Sequence, residues 1–405
     1  MRYIQSFLIL TVAVFLTAWG SDRNQARAAD QYILGLSGVM SGPAGSSYLP
    51  MVEAIRVYFE KVNDQGGING RKVKLIIRDS ANDPLRAVAD LKSFADTDGL
   101  NAVIFPSTSA TVGAYTKESR RISMPTIYVN ACYPPATPPK PNPEFFCPGI
   151  STLVDAFTIV DLLFELMKGK KITLGFVTSD VPGARIAAQK LMAPYAAKKG
   201  AKVVGVAVAP VPMMDLVPIT RGFKDKGVNA IISYTYTHHM LATAEAVGKL
   251  NYDVTYLMAA NIPGALTQMA QLKNPNIHAM DHFSLVSEDK PVHKDIVAAA
   301  KKYGYDFPVS DIRFGWRAAM VTEAALKACG WPCSREKLVG VLNTLKVNDP
   351  NMVDLNGGPV TFTKTNHTSP SKAYRVYSWS TAKNALVTSV DWFVKQEMDW
   401  APRKK

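Results

Sequence analysis

The sequence predicts an α/β fold of two lobes with central parallel sheets. Short apolar strands alternate with helices of 3.6-residue periodicity over most of the chain, and a proline-rich stretch at 133–148 interrupts that rhythm. The length, 405 residues, also exceeds the size at which one core stops growing.

Residues 1–29 read as an export signal: Arg2 is followed by an apolar run from Phe7 to Trp19 and a small-residue site at Ala26-Arg27-Ala28. The run is too short to span a bilayer, and no second stretch of eighteen apolar residues follows. No cysteine near the cleavage site offers a lipid anchor. Tyr32 to Val39 then forms a strand, the turn-rich Met40 to Gly45 a loop, and Val52, Ile55, Phe59 and Val62 the stripe of a helix. Gly66-Gly67-Ile68-Asn69-Gly70 breaks the chain before a strand at Val73 to Ile77. Asp83-Pro84 opens a helix whose expected buried stripe is Leu85, Val88, Leu91 and Ala95. A strand at Ala102 to Phe105, the hydroxyl loop Ser107-Thr108-Ser109, a helix to about Arg121 and a strand at Thr126 to Val129 complete the first series.

The second series runs from the helix carrying Phe157, Val160, Phe164 and Met167, through strands at 172–177, 203–208, 230–236 and 254–258, with helices at 184–198 and 239–249. Helices at 291–302, 310–328 and 334–345 follow. Short strands rich in Thr, Tyr and Val close the chain.

Composition restricts the partners. The net charge is +13, and the export signal itself carries Arg2, Arg23 and Arg27 against Asp22. The remaining surplus is spread singly or in pairs, with no basic stretch interleaved with aromatics, so no nucleic acid is expected and the charge reads as solubilising. Four cysteines in an exported chain point to disulfides; of three pairings, proximity favours Cys132 with Cys147 and Cys329 with Cys333. Neither spacing is that of a zinc site, and no metal or cofactor is expected. The chain lacks G-x-S-x-G, H-E-x-x-H, Walker A and G-x-G-x-x-G patterns, which argues against an enzyme.

Leu36-Ser37-Gly38-Val39-Met40-Ser41-Gly42-Pro43, Asn63 to Gly70, Asp79-Ser80-Ala81-Asn82-Asp83-Pro84 and Gly357-Gly358-Pro359-Val360-Thr361-Phe362 resemble the signature segments of periplasmic solute-binding proteins of branched-chain amino acid ABC transporters. The resemblance implies a type I periplasmic binding protein: two Rossmann-like lobes joined by a three-segment hinge that close on a small solute. Lobe 1 would hold 30–150 and 282–350, and lobe 2 would hold 151–281 and 351–405. A periplasmic monomer is implied, handing its ligand to an ABC permease and ATPase subunits in the inner membrane. A sensor reporting to a membrane receptor is the alternative use of that fold.

Ligands of open α/β sheets sit at the carboxyl ends of strands, where helix N-termini present unpaired N–H groups. Ser107, Thr108 and Ser109 stand there, as carboxylate donors or simply as a helix cap. By the resemblance, Asn130, Ala131 and Cys132 occupy the second carboxylate position, where the family uses threonine. The lobe 2 loop that carries the family's acidic ammonium partner reads Ala259-Ala260-Asn261, and a family tyrosine is replaced by Pro182 before Gly183. A desolvated ammonium needs a negative partner, so these departures favour an aromatic or other small carboxylate over a branched-chain amino acid, with amides and urea as alternatives. Tyr48, Tyr236 and Phe314 are the candidate walls, while Trp316 and Tyr234 read as core. Arg185 is the candidate cation for an anionic ligand or a solvated helix residue, and at most one of His238 and His239 faces the cleft.

Overall fold

The computed structural model describes residues 30–395 apart from positions 43, 131, 133, 138–139, 150, 260–262 and 370–372. The expected export signal, Ala131 and Asn261 therefore lie outside the described residues.

The first sheet has the order β2-β1-β3-β4-β5, all pairings parallel: β1 (Tyr32–Gly38), β2 (Val73–Asp79), β3 (Leu100–Phe105), β4 (Thr126–Tyr128) and β5 (Phe145–Phe146). β1 and β3 are buried along their whole length, as strands covered on both faces must be. The connecting helices are α1 (Gly45–Asp64), α2 (Pro84–Ala95) and α3 (Ser109–Arg121). Val52, Ile55, Phe59 and Val62 of α1 are buried as the periodicity predicts. In α2 the expected stripe is out of register: Ala87, Leu91 and Phe94 face inward and Leu85 is 80% exposed. The helix starts where expected, the Asp83 carboxylate capping the Leu85 and Arg86 N–H groups, and Leu91 of the expected stripe is buried.

The second sheet has the order β14-β13-β10-β9-β8-β6-β7. After α4 (Thr152–Leu166) come β6 (Thr173–Ser179), α5 (Pro182–Ile186), a π-helical turn (Ala187–Met192), α6 (Ala193–Lys198), β7 (Lys202–Ala209) and α7 (Val217–Asp225). They are followed by β8 (Ala230–Ser233), α8 (Thr237–Lys249), β9 (Thr255–Ala259), α9 (Ala265–Gln271) and β10 (Ile277–Asp281). The 184–198 helix is interrupted because Pro194 has no N–H to continue the ladder. α10 (Pro291–Lys302), α11 (Arg313–Cys329) and α12 (Arg335–Leu342) return to the first lobe, with β11 (Lys346–Val347), α13 (Pro350–Asn356) and β12 (Val360–Thr361). β13 (Ala373–Ser380) and β14 (Ala385–Val394) then add antiparallel to the second sheet through β10.

Two large cores underlie the lobes. One gathers residues from Tyr32 to Phe146 and from Phe283 to Phe362, the other from Val154 to Leu285 and from Tyr374 to Tyr377. The boundary expected at 350/351 is corrected: Met352, Leu355, Val360 and Phe362 pack in the first core. A smaller cluster around Phe94, Phe105 and Tyr115 fills the outer face of the first sheet.

The chain thus crosses between lobes three times. The first and third crossings run side by side, Cys147 N–H donating to His367 carbonyl (2.8 Å) and Ser369 N–H to Gly149 carbonyl (3.2 Å). At the second, Ser284 N–H donates to Leu355 carbonyl (3.0 Å). Gly149 lets the first crossing pass close to the segment after β4, since a Cβ there would stand 2.8 Å from Asn130 carbonyl. Arg317 of α11 is buried among the crossings, bonded to Asn356 Oδ1 (3.0 Å) and stacked 4.5 Å from the Phe283 ring centroid, and burial pushes its guanidinium down to about 10. The disulfides join Cys132 to Cys147 and Cys329 to Cys333.

Candidate solute-binding cleft

On lobe 1 the carboxyl ends of three adjacent strands are stitched together. Val39 N–H donates to Pro106 carbonyl (3.1 Å) and Ser80 N–H to Gly38 carbonyl (2.8 Å). The Asp79 carboxylate accepts from Met40 N–H (2.9 Å) and Ala81 N–H (2.8 Å). Burial alone would raise Asp79, but these bonds and those from Ser41 outweigh it and hold the carboxyl below its ordinary range. Asp79 belongs to the motif that carries the family resemblance, yet its service to loop backbone is visible only in three dimensions.

Ser107, Thr108 and Ser109 enter α3 as expected. Thr108 is its N-cap, accepting from Ala110 N–H (3.2 Å) and donating to Asn82 Oδ1 (2.5 Å). Ser107 is buried, its hydroxyl 2.8 Å from Thr111 Oγ1 and its carbonyl held by Tyr128 hydroxyl at 2.7 Å. Ser109 is exposed in the first turn. The loop's two inner hydroxyls are thus engaged with the protein, and its remaining capacity for an anion is the N-terminal backbone of a 13-residue helix.

The structure brings Tyr48 and Asn130 together: Asn130 Nδ2 donates to the Tyr48 hydroxyl, joining α1 to the end of β4. Asn130 is 5% exposed, and its Oδ1 has no hydrogen-bond partner among the described residues. A buried amide oxygen of this kind is an acceptor awaiting a donor. Cys132 is corrected as a side-chain contact. It is fully buried and its sulfur is in the disulfide, so only its backbone can serve a ligand. Phe314 is likewise corrected: 3% exposed, it packs edge-on against Phe283 in the first core. Trp316 also lies in that core, edge-on to Tyr58.

On lobe 2, Tyr236 immediately precedes α8, is 43% exposed and stacks on His238. His238 Nε2 lies 3.0 Å from Val211 carbonyl, tying α8 to the loop after β7. His239 is buried, with Nδ1 2.6 Å from Ser179 Oγ at the end of β6, and burial lowers its imidazole from the ordinary value. Ser179 N–H also donates to Thr235 Oγ1 (2.7 Å). These contacts lock the β6 and β8 loops to one another. Sequence reasoning missed the Ser179–Thr235–His239 cluster, because its members lie up to 60 positions apart. Tyr234 is half-buried, its hydroxyl donating to Thr152 carbonyl (3.3 Å). Gly183 is exposed, with open space where a Cβ would project. Arg185 pairs with Asp180 at 2.8 Å on the surface.

Among the described residues no group of three or more His, Cys, Asp or Glu side chains is placed to hold a metal, and no helix is long and apolar enough to cross a membrane. A surface hollow lined by Gly99, Ile122, Glu144 and Arg335 lies at the amino end of the first sheet, away from the strand ends described above.

The family model described as periplasmic binding protein matches residues 32–384. A curated relative, Leu/Ile/Val-binding protein homolog 4 of Brucella abortus (strain 2308), is 30% identical over 97 residues; the match covers 24% of this chain and 23% of the relative. Among solved structures, a Thermomonospora curvata fatty acid ABC transporter substrate-binding protein superposes with a TM-score of 0.72 at 20% identity, covering 90% of this chain and 93% of the other. A Thermus thermophilus branched chain amino acid ABC transporter structure with bound valine gives 0.76 at 18%, covering 90% and 97%. An R. palustris solute-binding protein in complex with 4-hydroxybenzoate gives 0.73 at 18%, covering 93% and 100%. At these identities the solved structures establish the fold, and together with the match along 32–384 they make the chain a member of the periplasmic binding protein family.

Proposed function

We propose that the protein captures a small aromatic carboxylate outside the cytoplasm, in the periplasm, and delivers it to an ABC permease driven by its ATPase subunits. The observation that carries the ligand class is the pairing of an exposed ring on lobe 2 with an unsatisfied acceptor on lobe 1. Tyr236 offers a face for stacking, and Asn130 Oδ1, held in place through Tyr48, offers an acceptor for a ring hydroxyl. The N-terminal backbone of α3 is the donor set for the carboxylate. The neutral sequence Ala259-Ala260-Asn261 supports a ligand without an ammonium group. The protein binds and releases its solute unchanged, without a cofactor.

Titration calorimetry on the mature chain tests this with 4-hydroxybenzoate, benzoate, valine and octanoate. A dissociation constant of about 1 μM or below for 4-hydroxybenzoate, about −8 kcal/mol, with weaker benzoate and no valine response, is the expected result. Valine binding without a response to either aromatic acid would replace the aromatic reading with an amino acid one. That second reading is favoured by the 97-residue similarity to the Leu/Ile/Val-binding homolog.

A further inference from the structure

Besides the hinge crossings, a short turn brings the two lobes into contact, and its chemistry is that of a fastening. The turn Val309–Ile312 leads into α11, and Ile312 and Phe314 sit in the first core. Opposite it stands the start of α9, whose Ala265, Leu266 and Met269 sit in the second core. Asp311 reaches across the gap, and its Oδ1 accepts from Gly264 N–H at 2.9 Å. Ser310 Oγ and Thr267 Oγ1 meet at 2.7 Å beside it. Two residues after Asp311, Arg313 pairs with Asp281 at the end of β10, 2.9 Å apart and almost fully buried, while its Nε donates to Ser310 carbonyl at 2.6 Å. Arg313 therefore braces the turn from behind.

We propose that Asp311 and Ser310 form a latch with Gly264 and Thr267 that sets how readily the lobes part, independently of which solute is bound. A carboxylate as buried as Asp311 (5% exposed) is favourable only while its bonds are made. Burial raises its carboxyl from the ordinary value, with the Gly264 N–H and Arg313 opposing that rise. Parting of the lobes breaks both interlobe bonds and returns all four groups to water, so the contact has two discrete states. Asp281 and Arg313 keep their partner on the hinge side of the turn, and they fix where the latch stands. The other charged group on the same connection, Asp306, is exposed and has no part in it.

Small-angle scattering from the ligand-free mature chain tests the latch without reference to the solute, so a failed ligand assignment and a failed latch are separable results. Wild-type protein should scatter as this structure does. Asp311→Ala should raise the radius of gyration as the population of parted lobes grows about tenfold or more, the effect of losing a hydrogen bond to a charged group. Asp311→Asn keeps a carbonyl acceptor for Gly264 N–H and should fall between the two. Thr267→Val, which removes only the hydroxyl pair, should shift the curve slightly in the same direction and keeps the test decisive if Asp311→Ala does not fold. Amide exchange at Gly264 should accelerate in step, whereas Asp306→Asn should change neither reading. Identical scattering and Gly264 exchange for wild type and the Asp311 and Thr267 variants would overturn the proposal, as would equal expansion in Asp306→Asn.

Discussion

Gly315 sets the distance between α11 and α1, and replacing it with alanine separates two opposing effects. Helix propensity alone favours the change, since alanine exceeds glycine by about 1 kcal/mol inside a helix. Packing opposes it. A Cβ at 315 would lie 2.3 Å from Met51 carbonyl oxygen and 2.7 Å from Ala54 Cβ. A backbone carbonyl cannot rotate aside as a flexible side chain can, so the helices must move apart and the cost falls toward the upper part of the ~1–3 kcal/mol range for overpacking. The net is a loss of about 2 kcal/mol, or a fall of about 4–8 °C in Tm for a lobe of this size. Gly113→Ala in α3 is the internal comparison, because nothing lies within 4 Å of the added Cβ and the site is exposed. It should raise Tm by a few degrees at most. Thermal unfolding followed by circular dichroism compares the two. An unchanged or raised Tm for Gly315→Ala would refute the packing argument.

Further outcomes follow from the charges and bridges. His278 is held neutral down to about 4 by burial, while the unfolded chain takes up its proton near 6.5. Stability should therefore fall as the pH drops from 6.5 to 4, by up to about 3 kcal/mol, and urea midpoints of His278→Gln should lose that part of the slope. Burial would raise Asp161, but bonds from Lys199, Lys395 and Tyr195 outweigh it and lower the carboxyl. Its contribution is present above the ordinary carboxylate range and lost as pH falls through the lowered value, so Asp161→Asn should destabilise at pH 7 and approach wild type in acid. Replacing Cys132 and Cys147 together with serine should lower stability by about 3 kcal/mol in denaturant titrations, given the 15-residue separation. Arg185→Ala should change stability by less than about 1 kcal/mol, because its partner Asp180 is as exposed as it is.

Sequence alone made most strands and helices of both lobes legible, because doubly covered strands such as β1 and β3 are apolar throughout and α1 keeps one stripe over five turns. It missed β5, α7, α9, β10, β11 and α13. Phe145-Phe146 is too short to show a period, and Ile277 to Asp281 includes a histidine and an aspartate that read as loop until the strand is seen paired between β9 and β13. In α2 the cap at Asp83 and the burial of Leu91 were legible, whereas Leu85 is exposed and Phe94 takes the inward face. The candidate site was legible where the chain places groups locally, as at Thr108 before α3, and obscure where it joins distant segments. Tyr48 with Asn130, 82 positions apart, and Asp311 with Gly264, 47 apart, are such pairs. Phe314 misled because an aromatic at a helix start fits a cleft wall and a lobe core equally well until Phe283 is seen against it.

Neither half of the molecule is one uninterrupted run of chain, and that bears on how it comes into being. A polypeptide emerging amino end first presents β1 to β5 while α11, which covers α1, is still to come. The second sheet waits longer: Tyr374 and Tyr377, both fully buried, arrive with β13, and Tyr374 supplies the hydroxyl that holds the buried Asp155 at 2.9 Å. Final packing of either half must therefore follow release of almost the entire polypeptide. A product ending before Ala373 would expose the edge of β10 and take from the Asp155 carboxylate the hydroxyl of Tyr374, leaving a species marked for aggregation or proteolysis.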